Sequence, residues 1–267
     1  MSQKLHFVIV KCSPTLKGSY TDHNVVRRDI LEKNSCPFKM INLRLHLTNL
    51  SFLENVSDTE KIYKQTFNEV LQNYGKEYTD DVRVKVIGCA AKDTFAIIKE
   101  NTGVDVDPEQ LRKEAHAKLF DRMHSAPLMP GAERLVRHLK NNNIPIAVAT
   151  NSGGEEFEIV RARHKEVFDL FHHIVCGSKD PEVKVGKPAP DIFFVCASRF
   201  DEKPKPEQCL VLEDSFNGVK GAYSAGMQVI MVPDPIIPPE KRTLATKVIS
   251  SLNEFKPEEF GLPPFSD

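Results

Sequence analysis

The stretch CLVLEDSFNGVKGAYSAG, residues 209–226, joins a strand pattern, two adjacent carboxylates and a helix pattern. Residues 209–212 are apolar, as in a strand that is buried on both faces. Residues 217–225 carry apolar residues at helical spacing, and Gly226 ends that pattern. The stretch therefore predicts a strand followed by a helix, with Glu213 and Asp214 where the two meet.

The same alternation extends over the whole second half of the chain. After Pro130, strand patterns at 144–150, 172–177, 209–213 and 228–232 alternate with helix patterns at 131–141, 190–199 and 217–225. This order is typical of a Rossmann-like, doubly wound parallel sheet in the α/β class, with helices on both faces. Ligands bind such sheets beyond the carboxyl ends of the strands. We therefore expect an α/β core over residues 126–267, and a loosely packed end at GLPPFSD.

The first half of the chain has a different character. Residues 58–125 carry helix patterns, among them one that follows Ser57 and stops at Gly75 and others at 92–101 and 107–122. This helical block is predicted to be a domain inserted ahead of the core. Residues 1–57 are atypical, and FVIV (residues 7–10) and residues 41–47 are candidate strands, the first preferred because it is continuous and bulky.

Composition excludes several classes of partner. A net charge of -1 over 267 residues argues against a nucleic-acid-binding protein, and no apolar run is long enough to span a membrane. The six cysteines show no C-x-x-C spacing and several lie in apolar runs, which favours free thiols in a reducing compartment. We expect a cytoplasmic monomer.

Two of the strand patterns end in groups that suit a phosphate. Thr150, Asn151 and Ser152 offer two hydroxyls and an amide, and Lys187 lies in the Pro-flanked turn of VGKPAPDIF. Hydroxyls, amides and a fixed ammonium can all hold the oxygens of a phosphate. Taken separately, these residues are equally consistent with a helix cap and a solvated lysine.

The acidic pair is more specific. Two neighbouring carboxylates at the end of a buried strand repel each other unless a cation or several donors lie beside them. Mg²⁺ is bound by one or two carboxylates together with phosphate oxygens, so Glu213 and Asp214 are candidate metal ligands. Alternatively, Asp214 and Asn217 cap the next helix while Glu213 reaches solvent. The joint presence of donors, lysine and acidic pair favours phosphoryl chemistry.

These residues resemble the haloacid dehalogenase-like hydrolase superfamily. Thr150-Asn151 is similar to its second motif, Lys187 in GKPAPDIF to its third, and LVLEDSFNGVKGAYSAGM to its fourth. Within that superfamily, the similarity from about Asp58 onwards is greatest to pseudouridine-5'-phosphatase-like proteins. The resemblance implies a helical cap on a Rossmann-like core and Mg²⁺-dependent hydrolysis of a small phosphorylated metabolite. It also implies that Gly88 and Lys92 lie in a substrate-reading loop, with Ser152 beside the phosphate.

The resemblance fails at the first motif of the family, a D-x-D-G after an apolar strand. Its first aspartate attacks phosphorus, and its second acts as the acid and base. Counting back from Asp58 puts Ser51 and Leu53 at these positions, whereas FVIV is followed by Lys11 and Ser13. The D-x-D at 105–107 follows no strand and is expected to start a helix.

The sequence therefore predicts a phosphatase fold with little or no turnover. Two further hypotheses remain open at this point. One is a non-catalytic protein that binds phosphate esters, and the other is an unstable product of an alternative first exon.

Overall fold

The computed structural model describes residues 7–12, 59–87, 91–151 and 155–266. Its described strands form one sheet in the order β3-β2-β1-β4-β5-β6, and all neighbouring pairs are parallel. The strands are β1 (Phe7–Cys12), β2 (Ile146–Thr150), β3 (His173–Cys176), β4 (Cys209–Glu213), β5 (Gln228–Met231) and β6 (Lys247–Val248). The predicted Rossmann-like α/β class is confirmed. The sequence analysis missed β6 because a strand of two residues is too short to show an alternating hydrophobic pattern.

The central strand comes from the atypical N-terminal segment. Strand β1 lies between β2 and β4, with Val8 beside Ile146 on one side and Leu210 on the other. FVIV is thus the part of that segment that pairs with β2 and with β4, as its continuous apolar character favours. The alternative strand at 41–47 lies outside the described residues.

Within the part of residues 58–125 that the structure describes, the chain forms four helices. They are α1 (Thr59–Gln72), α2 (Asp80–Val86), α3 (Ala91–Thr102) and α4 (Pro108–Met123). Gly75 has a φ of 66°, a left-handed conformation that favours glycine after a helix end. The sequence analysis overlooked α2, which begins where the Thr79 side chain accepts a hydrogen bond from the Val82 N–H.

The remaining helices cover the sheet. They are α5 (Ala132–Asn141), α6 (Glu155–Arg163), α7 (Lys165–Phe168), α8 (Asp191–Ser198) and α9 (Phe216–Ser224). Every residue of β2 and β4 is buried, as expected for strands covered on both faces. At Gly221, a Cβ would lie 3.0 Å from the Ala189 carbonyl oxygen, so the missing side chain lets α9 approach the turn that carries Lys187.

The C-terminal end packs against the core, so the expectation of a loose end was wrong. Leu262 is buried, and the Phe265 ring lies 4.6 Å from the His138 ring and 4.1 Å below the Arg134 guanidinium, measured between centres. The prolines do not prevent this packing because the apolar side chains around them find partners on α5.

Three cysteines whose side chains are described carry free thiols: Cys176, Cys196 and Cys209. Burial raises the pKa of the Cys209 thiol to about 12 and raises that of Cys196 well above its ordinary value. Cys196 and Cys209 are buried and free, as their apolar sequence context predicted. Among the helices that the structure describes, none is both long and apolar enough to cross a membrane.

Candidate active site

Asn151 and Thr150 lie at the carboxyl end of β2. Thr150 is completely buried, and Asn151 Oδ1 accepts a hydrogen bond of 3.5 Å from the backbone N–H of Lys187. Gly186 lies directly against this amide, since a Cβ there would be 3.4 Å from Asn151 Oδ1. The second and third motif candidates are therefore joined by a direct contact that their sequence separation does not reveal.

Lys187 is a buried cation, which excludes the alternative of a solvated surface lysine. Its Nζ donates hydrogen bonds of 3.0 Å to the Ala149 carbonyl oxygen and to Glu213 Oε1. It also lies 4.7 Å above the centre of the Phe193 ring. The side chains of Lys187 and Glu213 are both fully inaccessible to solvent. The turn thus holds one positive charge at the carboxyl end of the sheet.

Glu213 is enclosed by the chain on every side that the structure describes. Its Oε2 accepts hydrogen bonds of 3.4 Å from the N–H and from the hydroxyl of Ser215. A Cβ at Gly218 would lie 1.9 Å from Oε1, so the first turn of α9 closes over the carboxylate. The alternative in which Glu213 reaches solvent was wrong, because Lys187 compensates its charge inside the protein.

The helix after the acidic pair is capped by Ser215. The Ser215 hydroxyl accepts a 3.2 Å hydrogen bond from the Gly218 N–H, which makes Ser215 the N-cap of α9. The alternative that assigned this cap to Asp214 and Asn217 was therefore wrong. Asp214 is 8% exposed and borders the carboxyl end of β4. Its carboxylate is not required for the cap.

The chemistry of these donors suits Mg²⁺. Glu213 and Asp214 offer only carboxylate oxygens, the ligands this hard cation prefers. Within the described ranges, no group of three or more His, Cys, Asp or Glu side chains converges on one point. Two carboxylates are sufficient when a phosphate completes the coordination. Asp214 is the more accessible of the two, since it is 8% exposed whereas the Glu213 side chain is inaccessible to solvent.

The central strand brings no carboxylate to this edge within its described residues. Lys11 is paired with Ala149 and Cys12 with Thr150, so β1 ends beside the second motif. Ser51 and Leu53 lie outside the described residues, as do Ser13, Gly88 and Ser152. Lys92 lies in the first turn of α3, and only its backbone is described.

The remaining D-x-D is structural, as predicted. Asp107 caps α4, and its Oδ1 accepts hydrogen bonds of 2.9 and 3.4 Å from the N–H groups of Glu109 and Gln110. A carboxylate committed to a helix cap is not part of the site at the sheet edge.

A cleft of about 140 Å³ opens between α2 and the start of α9, next to the acidic pair, and the sequence analysis missed it. Its walls come from both halves of the molecule: Val84, Lys85, Ile87, Phe216, Asn217, Ile237, Pro238 and Lys241. Beside it, Arg83 of α2 forms an ion pair with Asp234, which follows β5. No sequence spacing predicts a contact between residues that are 151 positions apart. The closeness of Phe216 and Asn217 to Asp214 in the sequence was, however, a signal that could have indicated the cleft.

Comparison with known proteins agrees with this geometry. The profile of the haloacid dehalogenase-like hydrolase family matches residues 55–232. A probable pseudouridine-5'-phosphatase from Drosophila melanogaster is 48% identical over 210 residues, which cover 79% of this chain and 91% of that protein. The (DL)-glycerol-3-phosphatase 2 of Arabidopsis thaliana is 42% identical over 213 residues, covering 79% of this chain and 88% of that protein.

Solved structures show the same fold. A HAD family hydrolase from Deinococcus radiodurans, crystallised with phosphate and sodium, superimposes with a TM-score of 0.65 at 23% identity, covering 79% of this chain and 94% of that one. A putative β-phosphoglucomutase from Thermotoga maritima gives a TM-score of 0.60 at 25% identity, covering 75% and 91%. The chain belongs to the haloacid dehalogenase-like hydrolases and, among them, is pseudouridine-5'-phosphatase-like.

Proposed function

We propose that this protein binds a small phosphate monoester at the carboxyl edge of its sheet and hydrolyses it slowly or not at all. The observation that carries the proposal is the unequal composition of that edge. Strands β2 and β4 and the Lys187 turn bring buried, mutually bonded polar groups there, whereas β1 ends in Lys11 and Cys12. The polar groups proposed to bind phosphate are present, and the described residues of β1 bring no carboxylate to this edge.

The binding half of the proposal assigns a role to each side chain at the edge. The Lys187 ammonium provides a fixed positive charge, and the Thr150 hydroxyl and Asn151 amide donate to phosphate oxygens. Asp214 holds Mg²⁺, with Glu213 behind it as the buried partner of Lys187. Bound Mg²⁺ neutralises the charge of the phosphate and orients it.

The loss of hydrolysis follows from the chemistry of the missing motif. Phosphoryl transfer through a covalent intermediate needs a nucleophile at the strand end and a second group that moves a proton. In related enzymes, two aspartates after the central strand fill these roles. The two corresponding positions after FVIV are Lys11 and Ser13, and neither is a carboxylate. Turnover is therefore expected to fall by several orders of magnitude relative to an intact enzyme.

The ligand class that we propose is a nucleoside monophosphate such as pseudouridine 5'-phosphate, because a close relative is named for that activity. Ser152, Gly88 and Lys92 are proposed to contact the ligand, the last two from the helical block acting as a cap. We further propose that the protein acts as a monomer in the cytoplasm.

The test combines turnover and binding in one preparation. Purified protein with Mg²⁺ and pseudouridine 5'-phosphate is expected to bind the ester saturably by calorimetry and to release no phosphate above background. Thr150→Val is expected to weaken binding by about tenfold. Thr102→Val is the matched control, because the Thr102 hydroxyl only bonds the Ile98 carbonyl within α3.

Three outcomes would overturn the proposal. Turnover at the rate of an intact phosphatase would show that the missing aspartates do not matter. Failure to bind any phosphate ester would exclude the binding role. A low, non-cooperative thermal transition would favour the unstable alternative product, although the pairing of β1 with both inner strands argues for a cooperative one.

A further inference from the structure

Two histidines lie side by side at the amino end of strand β3. His172 precedes the strand and His173 begins it, and their Nδ1 atoms are 2.8 Å apart. Strand β3 is the outermost described strand on its side of the sheet, and His172 is exposed to solvent. The carboxyl end of β3, at Cys176, lies about 10 Å further along the strand. The pair is therefore separate from the candidate phosphate site.

The hydrogen bonds of His173 determine where its hydrogen lies. Its Nε2 is 2.9 Å from the Cys196 carbonyl oxygen, which can only accept, so Nε2 is the donor. With both rings neutral, Nδ1 of His173 then has a lone pair and accepts the hydrogen of His172 Nδ1. A single hydrogen thus lies between two ring nitrogens, in a place that a metal ion can take.

The surroundings of His173 are those of a metal-binding histidine. Such residues almost always donate their second N–H to a carboxylate or a backbone carbonyl, which fixes the ring and raises its basicity. His173 already makes this contact through the Cys196 carbonyl. The buried Phe200 ring lies 4.7 Å from the His173 ring and 5.4 Å from that of His172, between centres. Both imidazoles are therefore packed against the same wall in the metal-free protein.

The separation of the two nitrogens indicates which cation fits. An imidazole nitrogen binds such metals at about 2.0 Å, so nitrogens 2.8 Å apart subtend an angle of about 90° at the metal. A tetrahedral ion such as Zn²⁺ would need about 3.3 Å between them. Right angles between nitrogen ligands are typical of tetragonal Cu²⁺ and Ni²⁺, and Cu²⁺ is bound most tightly of the divalent first-row metals. The pair thus matches Cu²⁺ in geometry and in ligand type.

The charges beside the pair do not oppose a cation. Arg199 is the arginine whose positive charge acts on His173. Its guanidinium donates to both oxygens of Asp180, at 2.6 and 2.9 Å, and forms a second ion pair with Glu182. Two carboxylates therefore compensate this one positive charge.

We propose that His172 and His173 bind one Cu²⁺ ion through their Nδ1 atoms. The hydrogen between the rings moves to Nε2 of the exposed His172, so both Nδ1 lone pairs reach the metal without any redox change. No third His, Cys, Asp or Glu of the described residues joins the pair, so water completes the coordination. The site does not depend on the proposed phosphate binding, and its nitrogen ligands do not suit Mg²⁺.

Copper titration of the purified protein tests the site, with Cu²⁺ alone as the probe and excess Mg²⁺ present to occupy carboxylate sites. Electron paramagnetic resonance is expected to show one tetragonal Cu²⁺ coupled to two nitrogens. His172→Gln and His173→Gln should each leave one coupled nitrogen and weaken binding about 100-fold, because the chelate is lost. His124→Gln is the matched control, since it replaces an exposed histidine that packs on Phe120 at the end of α4, and should bind as the wild type does.

Equal Cu²⁺ affinity in His172→Gln and His124→Gln would overturn the proposal. So would a wild-type spectrum with fewer than two coupled nitrogens, or displacement of the copper by Mg²⁺, which would place it on carboxylates. Because His172 is exposed, its substitution leaves the core intact, and this variant decides the question even if His173→Gln fails to fold.

Discussion

The carboxyl edge of the sheet has two unlike regions. Around β2 and β4, Asn151, Lys187 and Glu213 are joined by hydrogen bonds, and Lys187 and Glu213 are sealed from solvent. At the end of β1, between these strands, the chain places Lys11 and Cys12. Burying charged side chains carries a desolvation penalty, which only a well-aligned partner offsets. The difference teaches that a buried, hydrogen-bonded polar framework can form beside a central strand whose described residues bring no carboxylate to the same edge.

The largest expected effect comes from completing the deficient region. Lys11→Asp combined with Ser13→Asp restores the D-x-D spacing after FVIV, and supplies a nucleophile and a proton-transfer group to the framework. We expect Mg²⁺-dependent release of phosphate from pseudouridine 5'-phosphate to rise at least ~100-fold above the wild-type background. Steady-state phosphate release measures it.

The control for this gain is Lys11→Asn with Ser13→Asn, which matches the size of the new side chains without their carboxylates. It should remain at background. Equal turnover in the two variants would contradict this prediction. No turnover in either variant, with ligand binding intact, would show that the missing reactive group does not belong at residues 11 and 13.

The second prediction breaks the intact region. Glu213→Ala leaves the Lys187 ammonium buried without its carboxylate, and such changes cost about 3–5 kcal/mol of unfolding free energy. Denaturant unfolding followed by circular dichroism measures the loss. Asp169→Ala removes a carboxylate from the exposed pair with Lys165, and should cost less than about 1 kcal/mol. Similar losses in both variants would mean that burial does not distinguish the Glu213 pair.

The third prediction concerns the helix turn that closes over Glu213. Gly218→Ala puts a methyl group where the Glu213 carboxylate lies, since the added Cβ would be 1.9 Å from Oε1. Overpacking of this kind costs about 1–3 kcal/mol. Gly186→Ala is the matched control, because its nearest neighbour would be at an ordinary 3.4 Å. Equal stability of the two variants, by the same unfolding measurement, would contradict the tight enclosure of Glu213.

The sequence predicted most of the fold for identifiable reasons. Strands β2 and β4 are short apolar runs that are buried throughout, and a buried parallel strand has that pattern. Helix α2 was missed because its three valines fall at every second position between charged residues, which is the period of a strand and not of a helix. The expectation of a loose C-terminal end was wrong because a Pro-rich pattern does not indicate whether the side chains around the prolines will find aromatic packing partners.

The candidate site could be predicted only in outline. The sequence places Thr150, Asn151, Lys187, Glu213 and Asp214 at strand ends, and the resemblance suggests their roles. It does not show that Lys187 and Glu213 are partners, because that contact depends on the packing of α9 through Gly218 and Gly221. The Arg83–Asp234 contact depends on how the helical block lies on the sheet, which no local pattern encodes.

The smallest expected effect lies at the amino end of the sheet. It tests whether a buried titratable side chain away from the carboxyl edge also contributes to stability. His173 begins β3, and its Nε2 donates a 2.9 Å hydrogen bond to the Cys196 carbonyl oxygen. Burial, together with the neighbouring His172 and Arg199, lowers the pKa of His173 from 6.5 to about 4 against the opposing effect of that hydrogen bond. The folded protein therefore holds this imidazole neutral.

Since the folded pKa lies below the unfolded value, the contribution of His173 to stability is fully present above pH 6.5 and is lost as the pH falls toward 4. At about 1.4 kcal/mol per pKa unit, reduced for partial exposure, the loss is roughly 2 kcal/mol. His173→Gln removes the titrating group, so its unfolding free energy should fall less steeply over this range than that of the wild type. Parallel curves for the two proteins would mean that His173 titrates with an ordinary pKa in the folded protein.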